Sequence, residues 1–288
     1  MKDYALLEAA LSCGSPTTGS EFAYDALMAA GLDRVFPDAL CFPAEKLPRC
    51  AEYPEKLKFL GTVMAVNRLL YRNLTEALDA AGFPIVIGGD HSAEMGVLAA
   101  LGEKYGADNL ALVYIDAHAD INTEEQSVSH FIHGMDLAAA CGLCTDELTV
   151  GKNKINIRGE NIHIIGARSI DPPEWGNMER LGVHLHTADE VREMGADGVL
   201  REVLPALAGK RLHISFDVDS LDPAVFSSTG YRIPNGLTEK DAEKLLRALL
   251  PLASSFDCVE YNPALDRAGK DAAKLIRFFE KLDEWRKK

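Results

Sequence analysis

Asp116, His118 and Asp120 stand at every second position behind the apolar run Leu112–Ile115, with only Ala117 and Ala119 between them. Alternate residues of a strand point to one side, so Asp116 and His118 share a direction. Asp217 and Asp219 repeat the pattern behind "RLHISF". Asp90 and His91 close "FPIVIGG", and Glu260 follows "FDCV". Carboxylates crowded in an interior repel one another and lose hydration. Their charged forms survive only when paired or bound to metal. No Arg or Lys lies inside these motifs to neutralise them. Mixed oxygen and imidazole donors suit Mn²⁺ or a neighbouring divalent ion, not a thiolate-loving one. The candidate ligands His91, Asp116, His118, Asp120, Asp217 and Asp219 exceed what one ion with an open position needs. Two ions sharing bridging carboxylates fit better. Taken singly, a D-x-D, the GGDH or Asp222-Pro223 is a turn or a cap; four strand ends of one kind are what point to chemistry.

The elements that must present these residues alternate along the chain. Short apolar, β-branched runs occupy 83–89, 110–116, 161–167, 211–218 and 256–261, with weaker candidates at Tyr4–Leu11 and Val183–His186. Helical spacing predicts helices over Glu55–Ala81, Ser92–Tyr105, Met135–Cys141, Ala196–Ala208, Thr238–Leu252 and Asp271–Trp285. Thr238 with Asp241 reads as a capping opening. Strand–helix alternation implies a three-layer α/β/α fold around a mainly parallel sheet, whose ligands bind outside the carboxyl ends of the strands. No linker or repeat divides the chain, so one domain over 1–288 is expected. The loops 121–133 and 222–236 are long enough to be functional.

Composition narrows the partners. The 288 residues carry a formal net charge of -14, which argues against nucleic acid and permits a cationic substrate. Six cysteines at irregular spacing, including "CGLC" at 141–144, read as reduced and structural. The N-terminus is a poor signal peptide, and no run approaches the roughly 18 apolar residues of a membrane span. A soluble, cytoplasmic protein without a membrane partner is expected.

"GGDHS" (88–92), "DAHAD" (116–120) and "SFDVDSLDP" (215–223), in this order, resemble the three signatures of the ureohydrolases, the arginase and agmatinase family, and of these most resemble arginase. The likeness spans roughly 83–263, whereas "SCGSPTTGSEFAYDALMAAGL" fits only loosely. The resemblance implies one Mn²⁺ held by His91, Asp116, Asp120 and Asp217, and a second by Asp116, His118, Asp217 and Asp219. It implies that a hydroxide shared by both ions and oriented by Asp120 attacks a guanidinium carbon, that His133 shuttles protons, and that Glu260 pairs with the guanidinium. Asn122, Ser127 and Ser129 match positions that hold a substrate α-carboxylate; Asp171, helped by Glu174, matches the site for its α-amino group. A trimer or hexamer also follows from the likeness.

The chain departs from the family pattern at several points. Ser169 stands where many relatives carry an acid, and His130 and Phe131 replace small and amide residues. "SSTGYRIPNGL" replaces the commoner "TGTP" form and sets Tyr231 and Arg232 beside the pocket. The expected activity is manganese-dependent hydrolysis of a linear guanidine to urea, with L-arginine as first substrate. The alternatives are agmatine or a guanidino acid, a non-catalytic metal-binding member, and a deacetylase or phosphatase on a related sheet.

Overall fold

A computed structural model describes residues 2–48 and 56–287. Among these residues eight strands form one sheet: β1 (Lys2–Glu8), β2 (Leu40–Phe42), β3 (Ala81–Ile87), β4 (Leu110–Ile115), β5 (Ile162–Ala167), β6 (His184–Thr187), β7 (Arg211–Asp217) and β8 (Ala253–Val259). Their order is β2-β1-β3-β8-β7-β4-β5-β6, and every described pairing is parallel. Parallel strands must be joined by crossovers that cover both faces. The inner strands are therefore largely apolar; β4 is buried at all of its residues.

Among the described residues nine helices supply the cover: α1 (Ala23–Ala30), α2 (Leu32–Val35), α3 (Leu60–Ala80), α4 (Glu94–Tyr105), α5 (Asp136–Ala140), α6 (Pro172–Leu181), α7 (Ala188–Ala206), α8 (Glu239–Leu249) and α9 (Lys270–Arg286). Alternation along each strand splits the core in two. Leu112 and Tyr114 of β4 join a core with Leu70 of α3 and Leu98 of α4. Val113 and Ile115 join the opposite core with Val199 of α7, Leu246 of α8 and Phe279 of α9. Among the described residues no helix is long and apolar enough to cross a membrane.

The strongly apolar runs all became strands, and both weaker candidates became β1 and β6. Four differences have physical causes. The Glu55–Ala81 helix begins at Leu60 in the structure, and Glu55 lies outside the described residues. The three-residue edge strand β2 has no fully buried position to mark it. Helix α6 starts on Pro172-Pro173, which reads as a turn yet suits the first helical positions, where no N–H partner is lost. The helix expected from Ala196 does follow a break at Gly195, whose φ of 69° is not helical, and a further helical stretch over 188–194 precedes that kink within α7.

Candidate metal centre

Strands β3, β8, β7 and β4 are adjacent, and their carboxyl ends carry Asp90 and His91, Glu260, Asp217 and Asp219, and Asp116 to Asp120 respectively. Their turns are stitched together by the backbone. Gly88 donates to Cys258 O at 2.9 Å, and Glu260 N donates to Gly89 O at 2.9 Å. The N-terminal "SCG" segment, a loose match by sequence, is part of this frame. Gly14 N donates to Asp90 Oδ2 at 2.8 Å, and His133 N donates to Gly14 O at 3.0 Å. A Cβ at Gly14 would lie 2.2 Å from Ser92 Oγ, so only glycine permits this approach.

Six expected ligands converge. His91 Nδ1 lies 2.8 Å from Asp116 Oδ2, 3.1 Å from Asp217 Oδ2 and 3.5 Å from Asp120 Oδ2. His118 Nδ1 lies 3.3 Å from Asp116 Oδ1 and 3.2 Å from Asp219 Oδ2. Two donor groups therefore meet at Asp116, one with His91 and Asp217, the other with His118 and Asp219. Asp217 is not brought within that second group. All are buried except His118, which is partly exposed and marks the open side. Asp120 and Glu260 both have left-handed backbone, φ 46° and 62°, which costs a non-glycine residue on the order of 1 kcal/mol or more.

The donor set fits divalent ions on an observation independent of the motifs. His91 Nδ1 and Asp116 Oδ2 are buried, 2.8 Å apart, and neither makes a hydrogen bond. Ser215 Oγ donates to Asp257 Oδ1 at 2.8 Å, so at its 2.8 Å contact with His91 Nε2 it accepts. That leaves the Nδ1 lone pair of His91 bare and turned to the carboxylates. Protons otherwise occupy the site. Burial opposes charge on His91 and His118, yet the surrounding aspartates raise both well above the ordinary histidine value. Burial, then Asp116, lifts Asp120 to about 6; burial, then Asp219 and Asp116, lifts Asp217 well above the ordinary carboxylate value. Cations and these protons would compete for the same atoms.

The remaining site residues surround this cluster. His133 Nδ1 is 3.8 Å from Glu260 Oε1, and Glu260 Oε1 accepts from His91 N at 3.1 Å. Glu260 lifts the His133 imidazole against the effect of burial. Asn122 Nδ2 donates to Asp171 Oδ2 at 3.0 Å, and its own Oδ1 is buried without a partner. Ser127 is buried and Ser129 exposed, with hydroxyls 3.4 Å apart. Glu174 is buried with both oxygens engaged: Oε1 accepts from Ile121 N at 2.9 Å and Oε2 from Asp171 N at 2.7 Å. Its visible work is to hold Asp171 and the 121–122 turn in place. The Phe131 ring faces Lys58, whose Nζ lies 4.3 Å from its centroid.

Sequence reasoning did not find Asp136. It forms a third donor group with His91 and Asp120, bridged by Tyr114, whose hydroxyl lies 2.9 Å from Asp120 Oδ2 and 3.1 Å from Asp136 Oδ2. The only signal was an acid opening a helix three residues after His133, and acids at helix starts are commonplace. No disulfide joins the described cysteines at 13, 41, 141, 144 and 258, whereas Cys50 lies outside the described residues. Burial pushes the Cys141 thiol to about 12, which suits an inert core residue.

Comparison with known proteins bears on this geometry. The Arginase family model matches residues 2–279. The arginase of Bacillus subtilis (strain 168) is 35% identical over 229 residues, 77% of each chain. The arginase of Bacillus caldovelox is 31% identical over 96% of each chain. The crystal structure of that Bacillus caldovelox enzyme superposes with a TM-score of 0.89 at 30% identity, covering 98% of both chains. Motifs, sheet order and whole-chain likeness agree, and the chain belongs to the arginase family of carbon–nitrogen hydrolases.

Proposed function

We propose that the protein hydrolyses a linear guanidine to urea and an amine with two Mn²⁺ ions, and that L-arginine is the substrate. The observation that carries the proposal is the pair of donor groups meeting at Asp116, with His91 Nδ1 and Asp116 Oδ2 unsatisfied, directly beside Glu260 and His133. His91, Asp116, Asp120 and Asp217 would hold one ion, and Asp116, His118, Asp217 and Asp219 the other. When bound, such a pair supplies Lewis-acid activation of water near neutral pH.

The rest is done by the chain. Glu260 accepts two charge-assisted hydrogen bonds from the planar guanidinium. Its oxygen is already fixed by His91 N, so little ordering is left to do on binding. His133 turns Nδ1 to Glu260, which leaves Nε2 to pass a proton to the departing amine. Asp120, whose carboxyl rests at about 6, orients the attacking water. Asn122, Ser127 and Ser129 receive the α-carboxylate, and Asp171, held by Glu174, receives the α-amino group. Phe131 favours a second reading, a different guanidine, because a ring occupied with Lys58 offers no amide to a carboxylate.

Urea release by the Mn²⁺-loaded protein separates these readings. L-Arginine should be hydrolysed with kcat/KM at least about 100-fold above agmatine, since a site built to hydrogen-bond a group strongly rejects the analogue lacking it. A preference for agmatine would remove the roles given to Asn122 and Ser129. No urea from arginine, agmatine or shorter guanidino acids would sink the enzymatic proposal.

A further inference from the structure

The loop after β7 brings one aromatic side chain into the centre. Tyr231 lies with its ring centroid 5.5 Å from that of His133, the two planes within 22°, and 5.2 Å from that of His118 at 72°. Among the described residues it is the one side chain in ring contact with both an expected metal ligand and the expected proton carrier. Its neighbour Arg232 is exposed.

The loop that carries Tyr231 is anchored on both sides. Arg168 Nη2 donates to Ile233 O at 2.7 Å and to Asp219 O at 2.8 Å, and Arg168 Nε donates to Pro234 O at 3.2 Å. One guanidinium thus ties the Tyr231 loop to the turn that presents Asp219. Arg192 Nη2 donates to Asn235 O at 3.1 Å. On the near side, a Cβ at Gly230 would lie 3.2 Å from Thr17, so the loop rests against the N-terminal segment. A ring held this way is a fixed wall rather than a lid.

We propose that Tyr231 is a specificity-determining and positioning residue: its ring walls the slot before Glu260 against guanidines substituted on the terminal nitrogens, and its face holds His133 in register with Glu260. The inference rests on the guanidine-hydrolase reading. The physical argument is steric and geometric. A ring fixed against both His118 and His133 would crowd a methyl group added to the guanidinium there, and discrimination of one methyl is worth roughly 10–200-fold. Stacking on the phenol also fixes the plane of the His133 ring, and misplacement of a proton carrier by about 1 Å costs on the order of 100-fold in turnover.

The test compares wild type, Tyr231→Ala and Tyr231→Phe, all Mn²⁺-loaded. Release of urea from L-arginine and of methylurea from its Nω-methyl derivative is measured, with calorimetric binding of both compounds. Tyr231→Ala should narrow the arginine-to-methylarginine ratio of kcat/KM at least about 10-fold, and tighten methylarginine binding relative to arginine. It should lower kcat on arginine about 10–100-fold while KM changes less than about threefold. Tyr231→Phe keeps the ring and should recover most of both losses, which a merely structural defect in the loop would not predict. Wild-type turnover with an unchanged ratio and unchanged kcat in Tyr231→Ala overturns the role of Tyr231 and leaves the hydrolase reading standing. A wild type that neither binds nor hydrolyses any guanidine overturns both.

Discussion

Beneath the proposed metal ligands lies a second buried cluster that no motif announces. Glu94 is 1% exposed, neither of its oxygens is hydrogen-bonded, and its Oε1 is 3.4 Å from His213 Nε2. His213 Nε2 also meets Asp257 Oδ2 at 2.8 Å, and Asp257 reaches His91 through Ser215. Burial, then Asp257, pushes the Glu94 carboxyl up to about 8; Glu94 and Asp257 lift His213 to about 10 against its burial. Near pH 7 the arrangement is therefore a neutral Glu94, a charged His213 and a charged Asp257. The sign of the pH effect follows. The folded chain keeps a proton on Glu94 that the unfolded chain loses near 4.5. The stability this contributes is full below that value and is lost as pH rises through about 8. His213 acts in the same direction at higher pH, from 6.5 to about 10. Glutamine copies the protonated carboxyl, so Glu94→Gln should unfold like wild type at pH 5. By pH 8.5 it should be more stable, on the order of a few kcal/mol at most. Thermal melts across this range check it, and parallel Tm profiles for the two proteins would show that Glu94 carries no such proton.

At the scale of elements, the site depends on how sharply each strand turns at its carboxyl end. Gly89 has φ 83°, and a Cβ there would lie 2.8 Å from Ala9 O. Gly209 has a similar φ of 76° in a surface turn, with nothing within contact of the added atom. Gly89→Ala therefore meets both backbone strain and a clash with backbone, and should cost about 2–4 kcal/mol; Gly209→Ala meets strain alone, about 1 kcal/mol. Because His91 follows two residues later, Gly89→Ala should also weaken Mn²⁺ binding, and Gly209→Ala should not. Equal Tm losses with equal metal affinity would show that the turn does not position the site. The same scale explains what could be read in advance. Strands β3, β4, β5, β7 and β8 were legible because parallel strands covered on both faces are mostly apolar on both sides. The residues ending them were legible because charge after such a run has no local explanation. Glu94 and the Arg168 clamp were not, since each acts on a partner far along the chain: Arg168 meets Ile233, and Glu94 meets His213. No spacing rule reaches across a crossover.

For the whole molecule, the question is what the buried acid cluster does to stability when cations are supplied or withheld. The chain carries a formal net charge of -14, and Asp116, Asp120, Asp217, Asp219 and Glu260 are all buried at one edge of its sheet. Without cations, protons drawn from water must offset that charge, as the raised values of His91, His118, Asp120 and Asp217 show. A ligand that binds only the folded chain stabilises it by about 2.7 kcal/mol per site when present at 100 times its Kd. For a chain of this size each kcal/mol moves Tm by roughly 2–4 °C. Two equivalents of Mn²⁺ should therefore raise Tm by about 10 °C or more at pH 7.5, and a chelator should reverse the rise. Asp217 lies closest to His91 after Asp116, so Asp217→Ala should lose at least half of the effect. Mg²⁺ should give a smaller rise than Mn²⁺, because imidazole donors suit the softer ion. The rise should shrink toward pH 5, because Asp120, whose carboxyl rests at about 6, then also holds a proton that an ion must displace to bind. A Tm insensitive to Mn²⁺ at pH 7.5, or an Asp217→Ala protein that responds as wild type does, would mean that these strand ends hold protons by design and that the metals, if any, bind elsewhere.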